Sequence, residues 1–134
     1  MKTLAGGFLS ACTLLFLAGQ PGQTSRDRGA VVYKQYCQPC HQADGNGLPM
    51  ANPSLAKTAY VTGDKPPLIA WVLKGTGSQK KPIDGKTYVN NMAPLNILTD
   101  QQIADVLTFV RSSFGNNASA VTPAEVKATR EATK

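Results

Sequence analysis

The sequence predicts an all-α domain of three to four short helices, and three observations carry that reading. Apolar residues recur at helical spacing in three stretches: Val32, Tyr33 and Tyr36; Leu68, Ile69, Trp71, Val72 and Leu73; and Ile103, Val106, Leu107 and Val110. The second stretch is bounded by Pro66-Pro67 in a first turn and by Gly75, as helix starts and stops require. The third opens on Thr99 with Gln102 three residues on, a capping box, and Gly115 lies beyond its end. At 134 residues the chain is one small domain with appendages.

Taken in order, Lys2 precedes an apolar run from Thr3 to Gly19 that reads as a secretory signal or an N-terminal anchor (1–19). Leu9-Ser10-Ala11-Cys12 also fits a lipoprotein signal, which would make Cys12 a lipidated residue. Gln20 to Arg28 is polar, holds Pro21 and Gly22, and reads as a linker (20–28). A first helix is expected from near Gly29, leading directly into Cys37-Gln38-Pro39-Cys40-His41. Gln42 to Pro49, with Gly45 and Gly47, has the chemistry of a turn-rich loop, and no following Gly-Lys-Ser/Thr makes it a phosphate loop. The second helix spans Lys65 to Lys74. A long polar loop, Gly75 to Asn91, with a short extended stretch at Lys86 to Val89, then delivers Met92-Ala93-Pro94-Leu95. After the third helix, 116–134 is a tail in which Thr122-Pro123-Ala124-Glu125 starts a short, solvent-facing helix.

Cys37 and Cys40 stand three residues apart with His41 adjoining, the pattern by which two thiols form thioethers to haem vinyl groups while the histidine binds iron. The same Cys-x-x-Cys spacing also serves dithiol redox chemistry and zinc. Zinc would want more ligands than the one further cysteine and the absence of a second histidine provide. A single Cys-x-x-Cys-His limits the chain to one haem. Because His41 is the only histidine, a methionine is the next candidate for the second axial position. Met50 follows His41 too closely, whereas Met92 lies far enough along to cross the ring, so the expected iron ligands are His41 and Met92. Trp71 is expected in the core with an edge on the haem pocket.

With these residues in view, the stretch from about Gly29 to Gly115 resembles a class I, mono-haem c-type cytochrome. The family's first helix carries a small residue and an aromatic eight and four positions before the first haem cysteine, matched by Gly29 and Tyr33. The resemblance implies that they pack on a C-terminal helix at Val106 and Phe109. It also implies that Pro53 offers its carbonyl to the histidine ring and that Leu55 lies on the haem. Asp84-Gly85-Lys86-Thr87-Tyr88, the run from Leu98 to Arg111 and the ending Ser113-Phe114-Gly115-Asn116 are similar to cytochromes of periplasmic dehydrogenases and reductases. One departure is Ala93, which separates Met92 from the proline that usually follows it.

The resemblance therefore implies a domain (29–115) with the cytochrome c fold around one covalent haem c. Its expected function is single-electron transfer between a periplasmic redox enzyme, such as a quinoprotein dehydrogenase or a copper nitrite reductase, and a respiratory acceptor such as a terminal oxidase. Two alternatives stand beside it: a haem enzyme or gas sensor with an open or weak sixth position, and a docking subunit of a larger redox complex. The protein is expected to be exported to the periplasm, a monomer or a complex subunit, touching membrane only through its N-terminal segment. Fourteen Lys and Arg against eight Asp and Glu give a modest positive field suited to an acidic partner surface, with Lys80, Lys81 and Lys86 as candidate rim. The lysines are scattered and not interleaved with aromatics, which argues against nucleic acid.

Overall fold

The computed structural model describes residues 23–77 and 82–134; the leader or anchor, Cys12, Lys80 and Lys81 lie outside the described residues. Four helices of ten residues or more and two single turns are present among them: α1 Ser25–Tyr36, α2 Gln38–His41, α3 Ala59–Thr62, α4 Lys65–Lys74, α5 Asp100–Arg111 and α6 Pro123–Ala132. No helix among the described residues is long and apolar enough to cross a membrane.

The first helix begins at Ser25, four residues earlier than the sequence suggested. Thr24 caps it and Asp27 closes a capping box with the Thr24 backbone N–H. The shorter Asp replaces the usual Glu or Gln of that box, so the start signal was hidden in the polar linker.

Helices α1 and α5 form the central crossing. Gly29 sits where they meet: a Cβ there would lie 2.0 Å from the Asp105 carbonyl oxygen and 2.8 Å from Phe109 Cβ, so only glycine allows this approach. One turn on, Tyr33 packs its ring 5.3 Å from those of both Phe109 and Phe114 and donates its hydroxyl to the Gln42 carbonyl at 2.6 Å. Beside the glycine, Arg28 grips Asp105 bidentately, Nε to Oδ2 at 2.7 Å and Nη2 to Oδ1 at 2.8 Å. Ser25 and Gln101 also donate to the Asp105 carboxylate, which satisfies a side chain only 4% exposed.

Helix α5 buries Ile103, Ala104, Val106, Leu107 and Val110. It ends at Arg111, and Gly115, at φ +75°, belongs to the turn after it rather than to its cap. Arg111 is 3% exposed and spends its guanidinium on main-chain carbonyls: Val61 at 2.6 Å, Gly63 at 2.9 Å and Ser119 at 2.7 Å. That clasp ties the end of α5 to α3, a turn that the sequence did not announce because its start signal is a lone Thr58 cap.

Two further expectations need correction. Lys86 to Val89 does not form an extended strand segment; instead Ile83 and Lys86 pair across a tight turn at Asp84 (φ +49°) and Gly85 (φ +73°). The tail helix is not solvent-facing either. Val126 is fully buried, Thr129 shares its face, and α6 packs on both α4 and α5, with Lys65 and Glu125 paired at 2.9 Å.

Candidate haem site

The Cys-x-x-Cys-His segment is placed by the junction of α1 and α2. Cys37 caps the first helix, its N–H on the Tyr33 carbonyl at 2.9 Å, and the next turn brings Cys40 and His41 back over it. Both thiols are free, and Cys40 is exposed. Burial, and secondarily the neighbouring Cys40 charge, push the Cys37 thiol up to about 12, the opposite of what an activated dithiol needs. Among the described residues no three or more His, Cys, Asp or Glu side chains come together as a zinc site would need.

His41 is oriented by the loop that follows it. Its Nδ1 lies 3.0 Å from the Pro53 carbonyl oxygen, so Nδ1 carries the proton and Nε2 keeps the lone pair for a metal. Burial lowers the imidazole pKa, the Pro53 bond opposing it, and the ring stays neutral at pH 7. The carbonyl is put there by a loop folded hard on itself: Gly47 (φ +68°) has no room for a side chain, since a Cβ would sit 2.4 Å from the Asn52 oxygen and 2.5 Å from that of Pro53. Asn52, 7% exposed, donates to the Cys40 carbonyl at 3.0 Å and accepts from Asn90 at 3.1 Å. It thereby joins the histidine loop to the loop that carries Met92.

Met92 is held from its own backbone. Its N–H donates to Thr76 Oγ1 at 2.9 Å, and its carbonyl accepts from the Thr76 N–H at 3.1 Å. Gly75 makes the approach possible, because a Cβ there would lie 2.3 Å from the Met92 oxygen. Leu95 N–H then donates to the Val72 carbonyl at 2.9 Å, which fixes the chain beyond Ala93 and Pro94 against α4. The residue inserted after the methionine is thus accommodated by bonds to the end of α4.

Cys37, Cys40, His41, Pro53, Leu55, Trp71 and Met92 all line one cleft of about 260 Å³. Its walls are otherwise largely apolar, drawn from α3, α4 and α5, and no Lys, Arg, Asp or Glu is among its described lining residues. Trp71 is half-buried on that wall, edge-on to Tyr60 at 5.1 Å, rather than sealed in the core. Thr76, Asn52 and Asn90 were not foreseen: nothing in their sequence context separates them from ordinary loop residues. Two thiols, an imidazole with one nitrogen fixed, a thioether and an apolar wall are the donor set and surroundings that a covalently held haem requires. The residues present fit the group.

This fold and this set of side chains fit a haem held on the Cys-x-x-Cys-His turn. A sequence model of the family described as "Cytochrome c" matches residues 27–114, and the chain belongs to the cytochrome c family. Its cofactor is haem c, covalently attached. The chain is 37% identical over 90 residues to the cytochrome c subunit of a quinone alcohol dehydrogenase from Gluconobacter oxydans, covering 67% of this chain and 19% of the relative. It is 34% identical over 98 residues to the cytochrome c subunit of a gluconate 2-dehydrogenase from Pantoea cypripedii, covering 72% and 22%. Cytochrome c-552 of Thermus thermophilus is 34% identical over 92 residues, covering 66% and 69%. The chain therefore spans about a fifth of the length of those two dehydrogenase subunits and about two thirds of the smaller cytochrome.

Proposed function

We propose that the domain is a one-electron carrier whose haem is attached through Cys37 and Cys40 and ligated by His41 and Met92. The observation that carries this reading is the pair of backbone-anchored ligands on one apolar cleft: His41 fixed by Pro53 and Met92 fixed by Thr76. When bound, haem supplies an iron that alternates between ferrous and ferric. The chain's own residues do the rest. Pro53 keeps a proton on Nδ1 and so presents Nε2; Thr76 and Gly75 hold the thioether loop; Val72, Val106 and Val110 exclude water. A site preorganised in this way changes little on gaining or losing charge, which favours fast electron exchange. The pinned loop counts against an open sixth position and hence against a gas sensor or haem enzyme.

The dehydrogenase subunits among its relatives support a donor of that class, and export to the periplasm with onward transfer to a respiratory acceptor belongs to the same proposal. Lys86, exposed beside the cleft's loop, is the described member of the basic rim that would meet an acidic partner. Reconstituting the haem-loaded chain with a quinoprotein dehydrogenase tests this directly. Stoichiometric one-electron reduction that slows as salt is raised supports it; ready binding of carbon monoxide to the ferrous form would favour the open-site alternative.

A further inference from the structure

We propose that Arg130, on the C-terminal helix α6, is a positioning residue for Met92, clamping the limb of the ligand loop that descends into α5. The inference rests on the Met92 ligation proposed above and adds an element beyond it, since the family match ends at residue 114, before α6 begins.

From Met92 the chain runs through Leu95 to the Thr99 cap. Its upstream end is pinned by Thr76 and Val72; further along, Leu98 N–H bonds the Leu95 carbonyl at 3.1 Å and Ile97 is 77% exposed. Two carbonyls of that stretch face the guanidinium of Arg130: Asn96 accepts from Nη1 at 3.0 Å and Leu98 from Nη2 at 2.8 Å. The remaining edge, Nε, pairs with Asp100 Oδ1 at 2.8 Å in the first turn of α5. One planar fork thus spans loop and helix start, a geometry that a lysine ammonium cannot reproduce.

Arg130 is itself held in place. Val126 is fully buried, and Glu125 accepts from Lys65 at the start of α4, the helix whose other end holds Thr76. Helix α6 therefore ties both supports of the loop together. Displacing Met92 requires the loop to lift, and the fraction of lifted loop sets how well an added ligand competes for the sixth position.

The test is imidazole titration of the ferric, haem-loaded full chain. Arg130→Met keeps the aliphatic stem and loses every donor; it should tighten imidazole binding about tenfold or more, since the bonds to the Asn96 and Leu98 carbonyls and to Asp100 all go. Arg130→Lys should fall between it and the unchanged protein. Val32→Ala, which opens a cavity in α1, a helix that does not pack on α6, should lower thermal stability and leave imidazole affinity unaltered. Unchanged affinity in Arg130→Met would overturn the proposal, and so would equal tightening in Val32→Ala and Arg130→Met. Met92→Ala separates the two ideas: an unchanged ferric spectrum there removes the ligand assignment, whereas a changed one beside an inert Arg130→Met removes only the clamp.

Discussion

Thr76 and Met92 hold each other by two hydrogen bonds, Met92 N–H to Thr76 Oγ1 at 2.9 Å and Thr76 N–H to the Met92 carbonyl at 3.1 Å. The pair closes the long loop onto the end of α4, so under the proposed ligation by Met92 the stability of the sixth ligand would be set partly by a threonine that touches no metal.

Replacing Thr76 by Val keeps the shape and leaves the Met92 N–H without its acceptor. The cost should be about 1 to 1.5 kcal/mol, or about one pH unit in the midpoint at which alkali displaces the methionine. A pH titration of the ferric charge-transfer band measures it, and the midpoint should fall.

Gly29→Ala should be among the most damaging single changes outside the haem site. The added methyl collides with the Asp105 carbonyl and with Phe109, and backbone cannot yield cheaply. Overpacking of this kind costs about 1 to 3 kcal/mol, more when helix axes must separate. Thermal unfolding of the haem-loaded protein should show the drop.

Asp105 carries an acid dependence. Burial raises its pKa, but the hydrogen bonds from Arg28, Ser25 and Gln101 and the Arg28 charge outweigh it, so the folded-state value lies below the ordinary 3.8. A depressed carboxyl contributes stability that is fully present above its unfolded value and is lost as pH falls through the folded one. Below about pH 4 the protein should therefore lose stability, and Asp105→Asn should be less stable at neutral pH with a flatter acid limb. Denaturant midpoints across that range, compared between the two proteins, check the sign.

Arg111→Ala would strand the carbonyls of Val61, Gly63 and Ser119. Removing one partner from buried polar contacts costs about 1 to 3 kcal/mol per stranded group before water relieves it. The loss should appear as a lower melting temperature and faster hydrogen exchange in α3.

Much of the architecture was legible because its determinants are local. Helix α4 has the bounds that Pro66, Pro67 and Gly75 announce, and α5 starts where Thr99 and Gln102 place its cap. The haem-binding turn and the Pro53 bond to His41 follow from spacing and resemblance. What escaped depends on contacts distant in sequence or on weak local signals. Thr24 with Asp27 is a short form of a cap, so α1 looked like linker. In α6 the apolar face is essentially Val126 with Thr129 beside it, too sparse to read as buried until α4 and α5 supply the partner surface. Thr76 meets Met92 across sixteen residues and Asn52 meets Asn90 across thirty-eight, pairings that no periodicity encodes.

Ligation by His41 and Met92 is tested most directly by the ferric absorption spectrum of the haem-loaded chain and of Met92→Ala. The charge-transfer band of His/Met haem should be present at neutral pH in the first and absent in the second, with carbon monoxide binding the ferrous form only of the variant. A band missing from the unchanged protein, or persisting in Met92→Ala, would contradict it.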